Sequence, residues 1–182
     1  MYLFDPYFEA LTDLTATGLV RRVAARWNRP GLRGEIVHEL LPHDLALLLV
    51  LLGVPLGLPH VLVHDARRLE IDVVTSQGVT ASLRYTTDAA RPRLKDLDVW
   101  SGDRHFRWSP GRLDEDMSPS DRSSRWRPVA LPASLRLDHT STPLEREVAR
   151  FAHNVAFPCD RMVQSMDLIV GVTSIVAMLT GA

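Results

Sequence analysis

Leu69-Glu70-Ile71-Asp72-Val73 and, after Ser76-Gln77-Gly78, Val79-Thr80-Ala81-Ser82-Leu83-Arg84-Tyr85-Thr86 decide how this chain folds. In the first run Leu69, Ile71 and Val73 point one way and Glu70 and Asp72 the other. In the second, Val79, Ala81, Leu83 and Tyr85 oppose Thr80, Ser82, Arg84 and Thr86. Successive side chains of a strand alternate between faces, so this pattern is that of strands with one face covered and one face wet. A three-residue turn carrying glycine joins them as a hairpin.

Outward from the hairpin the same period continues. Val61 and Val63 open a short strand before the turn His64–Arg67. Leu97 and Val99 alternate with Asp96 and Asp98, and Phe106 and Trp108 alternate with His105 and Arg107, across a Ser101-Gly102-Asp103 turn. About five short strands joined by short turns form an antiparallel β-meander, because antiparallel neighbours need no crossover. From Ser109 to Pro128 the chain is rich in Ser, Asp, Arg and Pro and nearly empty of aliphatics, which predicts a long exposed loop over 109–128. Val129 to Leu137 reads as a further strand.

The flanks read as helix. Asp5-Pro6 supplies an N-cap and a proline at the first helical position, and Phe8, Leu11 and Leu14 follow at helical spacing. Val20, Val23 and Trp27 continue that spacing in a second helical stretch beyond Thr15–Gly18. Arg33 to Gly53 is helical and split by Pro42, with Asp44 as the cap of the new start. Leu45 to Leu52 is apolar on every face, which predicts a central helix. Thr142-Pro143-Leu144-Glu145 begins another helix that ends at Pro158, and a last one runs from about Asp160 to Thr180. The fold class that follows is α+β, one domain over residues 1–182. Its antiparallel β-meander of about five strands is flanked by N-terminal and C-terminal helices packed on one face.

Charge bounds the partners. With 21 basic and 22 acidic side chains the net charge is −1, so no overall field draws the chain to nucleic acid or anionic lipid. Lys95 is the only lysine, a bias that fits a GC-rich coding sequence, since arginine codons are GC-rich. Cys159 stands alone and forms no intrachain disulfide. Together with an N-terminus lacking a basic n-region, that predicts a cytoplasmic protein. The apolar runs Leu45–Leu58 and Leu168–Leu179 fall short of the roughly 20 residues that span a bilayer. The last leaves peripheral membrane contact open.

No catalytic set is recognisable. Gly-x-Gly-x-x-Gly, Gly-x-x-x-x-Gly-Lys and Gly-x-Ser-x-Gly are all missing. His38 and His43 resemble a zincin pair but lie five apart with Pro42 between them. His60 and His64, four apart beside Asp65, are the first candidates for a metal, although strand-edge histidines near turns are common. Cys159 follows His153 by six residues, yet chain proximity alone makes no nucleophile and base. Neither cofactor nor metal is expected.

Three functions are weighed. The first is a non-enzymatic interaction protein: an accessory, adaptor or chaperone-like subunit that self-associates or joins a larger assembly. It would use the apolar helix residues Ile175, Val176 and Leu179, with Trp126 between Arg125 and Arg127 in the polar loop. The second is a small-ligand-binding protein or enzyme with a pocket between sheet and helices, drawing on His60, His64, Asp65, His105 and Tyr85. The third is a nucleic-acid module using Arg104, Arg107, Arg125 and Arg127 with Trp108 and Trp126. It is weakened by the interleaved Asp103, Asp114, Glu115, Asp116 and Asp121.

Overall fold

The computed structural model describes residues 5–16, 19–54, 56–117, 125–132, 145 and 161–180, with 161–169 and 171 as backbone only. In chain order these give α1 (Pro6–Ala16), β1 (Val20–Asn28), α2 (Ile36–Glu39), α3 (Leu41–Leu52), β2 (Leu56–His64), β3 (Arg68–Thr75), β4 (Thr80–Thr86), β5 (Leu94–Ser101), β6 (Arg104–Ser109), β7 (Arg112–Asp116), β8 (Trp126–Pro128) and α4 (Arg161–Thr180). Among the described residues the eight strands form one sheet in the order β2-β3-β4-β1-β5-β6-β7-β8. The protein is mixed α+β, with few helices and a sheet larger than a five-stranded meander.

The expected hairpin is present: Leu69 pairs with Tyr85 and Ile71 with Leu83, and all four are buried. The meander is interrupted at its centre, however. β1 inserts between β4 and β5, parallel to the first and antiparallel to the second. The helical reading of Val20, Val23 and Trp27 is therefore corrected. The stretch satisfies both periods, because Val23, Ala25 and Trp27 also alternate with Arg22, Ala24 and Arg26. Its two alanines carry almost no phase, so strand neighbours on both sides decide it.

The expected exposed loop over 109–128 is also corrected, since β7 and β8 lie within it. Leu113 is buried, and so are Asp114 and Asp116. The polar composition misleads because these acids are partnered rather than solvated: Arg112 Nε donates to Asp114 Oδ2 at 2.6 Å and Arg104 Nε to Glu115 Oε1 at 2.7 Å. Val129–Pro132 leaves the strand pattern, although Val129 N still donates to Leu113 O. The predicted helix 142–158, apart from helical Glu145, together with His153 and Cys159, lies outside the described residues.

The covered face carries Val23, Ala25, Trp27, Leu97, Val99, Phe106 and Trp108 alongside the hairpin's apolar set, all buried. Burying each large side chain contributes roughly 1.5–3 kcal/mol. α1 begins as expected, with the Tyr7 and Phe8 N–H groups donating to Asp5 Oδ1 at 2.8 and 3.3 Å. It sets Phe8 edge-on to Trp108, ring centroids 5.6 Å apart. α3 buries Leu41, Leu45, Leu47, Leu48 and Leu51 and ends at Gly53, whose left-handed φ of 63° lets its N–H return to Leu49 O. α3 also packs against α4. The helix break falls at Leu40, before Pro42, and no side chain caps α3: Asp44 is drawn inward instead. Among the described residues no helix is long and apolar enough to cross a membrane.

Candidate functional site

At one end of the sheet the covered face turns polar. Tyr85, Trp27 and Lys95 occupy one row across β4, β1 and β5, since Trp27 is the register partner of both others. Trp27 and Tyr85 are next to last in their strands, so the row sits at the carboxyl ends of the parallel pair. The first turns of α3 lay His43 and Asp44 over this row. Lys95 Nζ donates to Asp44 Oδ1 in a very short ion pair. Both partners are buried, Lys95 at 8% and Asp44 at 2% exposure. The Lys95 ammonium also lies 3.5 Å from the centroid of the Trp27 ring.

These neighbours set the protonation chemistry. Burial lowers the pKa of Lys95, and the charge and hydrogen bond of Asp44 pull it back upward. Burial pushes the Tyr85 hydroxyl well above its ordinary range, and the nearby Asp44 charge pushes the same way. Tyr85 therefore stays a proton carrier, and its Oη makes no hydrogen bond of good geometry. His43 stands at the rim, open to solvent on one side, its ring 6.1 Å from that of Trp27. Partial burial and then the Lys95 charge lower its pKa, with Asp44 opposing. A rim imidazole with a lowered pKa, a buried phenol beside Asp44 and a buried ion pair thus share one corner. A cavity of about 360 Å³ opens beside Lys95, between Arg93–Asp96 and Ser109–Pro110. Such a corner can accept a proton at His43.

The uncovered face has a second polar centre. Asp98, 4% exposed, receives Arg107 Nε at 2.8 Å, Arg26 Nη2 at 3.1 Å and His105 Nε2 at 3.1 Å. Burial works against ionisation of Asp98, but His105 and Arg107 hydrogen bonds and the Arg107 and Arg26 charges hold its carboxyl below the usual range. His105 stacks on Trp100 at 4.2 Å and meets Trp126 edge-on at 4.9 Å.

The sequence candidates are thereby dispersed. His60 and His64 lie on edge strand β2, whose register shifts between Val61 and Val63. His60 pairs with Asp72 and His64 with Leu69, so the shift turns the two imidazoles to opposite faces. His38 belongs to α2, 3.5 Å from Glu35, and His43 to α3. No group of three metal-ligating side chains gathers among the described residues. Asp65 accepts from Arg67 N in its turn. Of the expected pocket set only Tyr85 joins the cluster. Arg104 and Arg127 pair with Glu115, at 2.7 and 3.5 Å, and Arg107 lies over the Trp126 ring. Arg125 is exposed, Trp108 is fully buried and Trp126 is half-buried on β8. Ile175 enters the chain's own core, with Val176 and Leu179 packed against it. Sequence reasoning missed Lys95 and the true place of Asp44, although Lys95 shares the inward phase of Leu97 and Val99.

No protein-family model matches the chain, and no curated protein matches it significantly. Solved structures do. UDP-N-acetylglucosamine 3-dehydrogenase from Acidithiobacillus ferrooxidans superposes with a TM-score of 0.73 at 17% identity, over 96% of this chain and 58% of that one. An inositol dehydrogenase homologue from Azotobacter vinelandii, solved with NADH and myo-inositol, gives 0.60 at 13% identity over 80% and 48%. Levoglucosan dehydrogenase gives 0.66 at 10% identity over 97% and 63%. The likeness is one of fold.

This chain spans less than two thirds of the length of each of those proteins. They overturn the expectation of a non-enzymatic adaptor or chaperone-like assembly subunit, because the architecture is one that dehydrogenases carry. The described residues do not fit a nicotinamide dinucleotide. The one parallel pair, β1 and β4, lacks a Gly-x-Gly-x-x-Gly turn leading from strand to helix, and α2 after β1 has only four residues.

Proposed function

We propose that this chain is the substrate-side domain of an oxidoreductase acting on a polyhydroxylated small molecule such as a sugar or cyclitol. The dinucleotide would be held outside the residues described above. The carrying observation is the fold match over 96% of the chain to a sugar-nucleotide dehydrogenase, with the buried Asp44–Lys95 pair and His43 gathered at the strand ends. In this reading His43, at the solvent-facing rim, takes the proton of a substrate hydroxyl, and the buried Tyr85 keeps its proton beside Asp44 beneath it. Asp44 and Lys95 hold the corner in place, and partial burial followed by the Lys95 charge lowers the His43 pKa. The work of His43 follows from its surroundings: a base must be unprotonated at working pH. We place the protein in the cytoplasm, in keeping with its single cysteine.

Binding tests it directly. The purified chain is titrated with UDP-N-acetylglucosamine, myo-inositol and levoglucosan by thermal shift and calorimetry, and separately with NADH by fluorescence. At least one hydroxylated ligand should raise Tm, and His43→Ala should weaken it by roughly 10–100-fold, about 1.4–2.8 kcal/mol. Micromolar NADH binding to this chain alone, with no response to any polyol, would reverse the assignment.

A further inference from the structure

On the uncovered face, β1, β3, β4 and the 87–93 turn surround a cavity of about 550 Å³, within the size range of small-molecule pockets. Four guanidiniums line it, Arg26, Arg68, Arg84 and Arg91, against the two carboxylates of Glu70 and Asp88. Arg26 and Arg84 are register partners across the parallel pair, so two like charges stand side by side on neighbouring strands. That placement costs stability unless negative charge lies close.

The answering carboxylates sit on the outer sides. Arg84 reaches Glu70 and Asp72 at 3.0 and 3.1 Å, and Arg26 reaches Asp96 and Asp98 at 3.5 and 3.1 Å. These acids are already shared: Glu70 also pairs with Arg68, and Asp98 with Arg107 and His105. Arg26 commits only Nη2, and Arg84 commits Nε and Nη1. Each guanidinium has five N–H donors in a rigid fork, so both keep donors for the space between them.

The opposite wall is held by a buried amide. Asn28 Nδ2 lies 3.2, 3.1 and 2.8 Å from the carbonyls of Asp88, Arg91 and Pro92, which folds their turn against the cavity. Asn28 Oδ1 is left buried without a hydrogen-bond partner. Unspent guanidinium donors on neighbouring strands, facing a turn held in place by a buried amide, suit an oxyanion.

We propose that this cavity binds a small phosphate-bearing molecule, its oxyanion held between Arg26 and Arg84. The site is on the face of the sheet opposite the His43–Asp44–Lys95 cluster and does not depend on the oxidoreductase reading. A phosphate would neutralise the paired guanidiniums and accept charge-assisted hydrogen bonds from both.

The test is calorimetry and thermal shift with inorganic phosphate, at constant ionic strength balanced by sodium chloride, then glucose 6-phosphate against glucose. Phosphate should raise Tm saturably where chloride does not, and glucose should be inert. Glucose 6-phosphate binding roughly tenfold tighter than phosphate would identify an ester as the ligand class, and equal affinities would identify free phosphate. Arg26→Gln should weaken phosphate roughly tenfold, and Arg91→Gln by less, while Arg125→Gln, away from the cavity, binds as the parent does. Arg91→Gln, which leaves the strand ion pairs intact, carries the test if Arg26→Gln does not fold. Equal responses to phosphate and chloride, undiminished binding by both cavity variants, or a self-associated chain that binds no phosphate would each overturn the proposal.

Discussion

Lys95→Met removes one charge from a pair whose two members have almost no contact with water. The Asp44 carboxylate then stays beneath α3 without its ammonium. Breaking a buried pair from one side costs about 3–5 kcal/mol, because the remaining charge has lost both solvent and partner. In a chain of this length each kcal/mol lowers Tm by roughly 2–4 °C, so the variant should melt about 6–20 °C below the parent. Removing both charges with Asp44→Leu and Lys95→Met should return most of that, leaving the double variant within about 1 kcal/mol of the parent or above it. Urea unfolding at pH 7 measures each species, provided the m-values agree. The double-mutant cycle should then give a coupling above about 2 kcal/mol. The alkaline limb adds a signature. Burial lowers the folded pKa of Lys95 below the ordinary 10.5, so between the two values the unfolded chain binds more protons. Stability from this group therefore rises as pH climbs through the folded pKa toward 10.5, and in Lys95→Met that rise disappears. A single variant within about 1 kcal/mol of the parent, or a double variant whose loss equals the sum of the singles, would refute the reasoning.

Two further outcomes follow from the sheet itself. Asp98→Asn should cost on the order of 2–4 kcal/mol, since Arg26, Arg107 and His105 all converge on that carboxylate. Its folded pKa is depressed, so its contribution is present above about pH 4 and is lost as pH falls through the folded value. The variant's Tm should accordingly fall less steeply in acid than the parent's. Gly57→Ala would place a Cβ 2.3 Å from Val74 O, so β2 must shift away from β3. Chemical denaturation should register a loss of about 1–3 kcal/mol, while ligand binding at the His43 corner stays unchanged.

How far the sequence carried this structure depended on whether a segment's periodicity survived its surroundings. The Leu69–Thr86 hairpin was legible because every second residue commits to a face, and no helical phase fits that pattern. Val20–Asn28 was not legible, because Ala24 and Ala25 weigh equally in both periods and β1 owes its state to β4 and β5, distant in sequence. Arg112–Asp116 failed for another reason. Composition identifies loops by their charge, but it cannot register that Arg104 neutralises Glu115 from the neighbouring strand and Arg112 neutralises Asp114 along its own. Of the candidate site only Tyr85 was foreseen. Asp44 had a local explanation ready as a helix cap, and its real partner is 51 residues away. The histidine pair on β2 fails for want of one datum, the register shift that separates their faces.

The single lysine is where chemistry and composition disagree. Twenty of the 21 basic residues are arginines, and the ordinary explanation is codon usage acting on every position alike. Among the described residues the exception is the one buried on the covered face, paired with a carboxylate and set over a tryptophan. An arginine there would be permanently charged, whereas burial loosens the proton of the lysine ammonium. A buried ion pair is poor evidence of a stability device, because apolar residues of similar shape do as well or better. The pair therefore requires a different rationale, and its effect on His43 supplies one: after partial burial, the ammonium's charge lowers the pKa of the rim imidazole, and Asp44 keeps the ammonium in place. On this argument Lys95→Met, which leaves the Asp44 charge unopposed, should move the His43 pKa upward, whereas the stability-restoring double variant with Asp44→Leu should move it less. That difference is measurable by NMR titration of the imidazole.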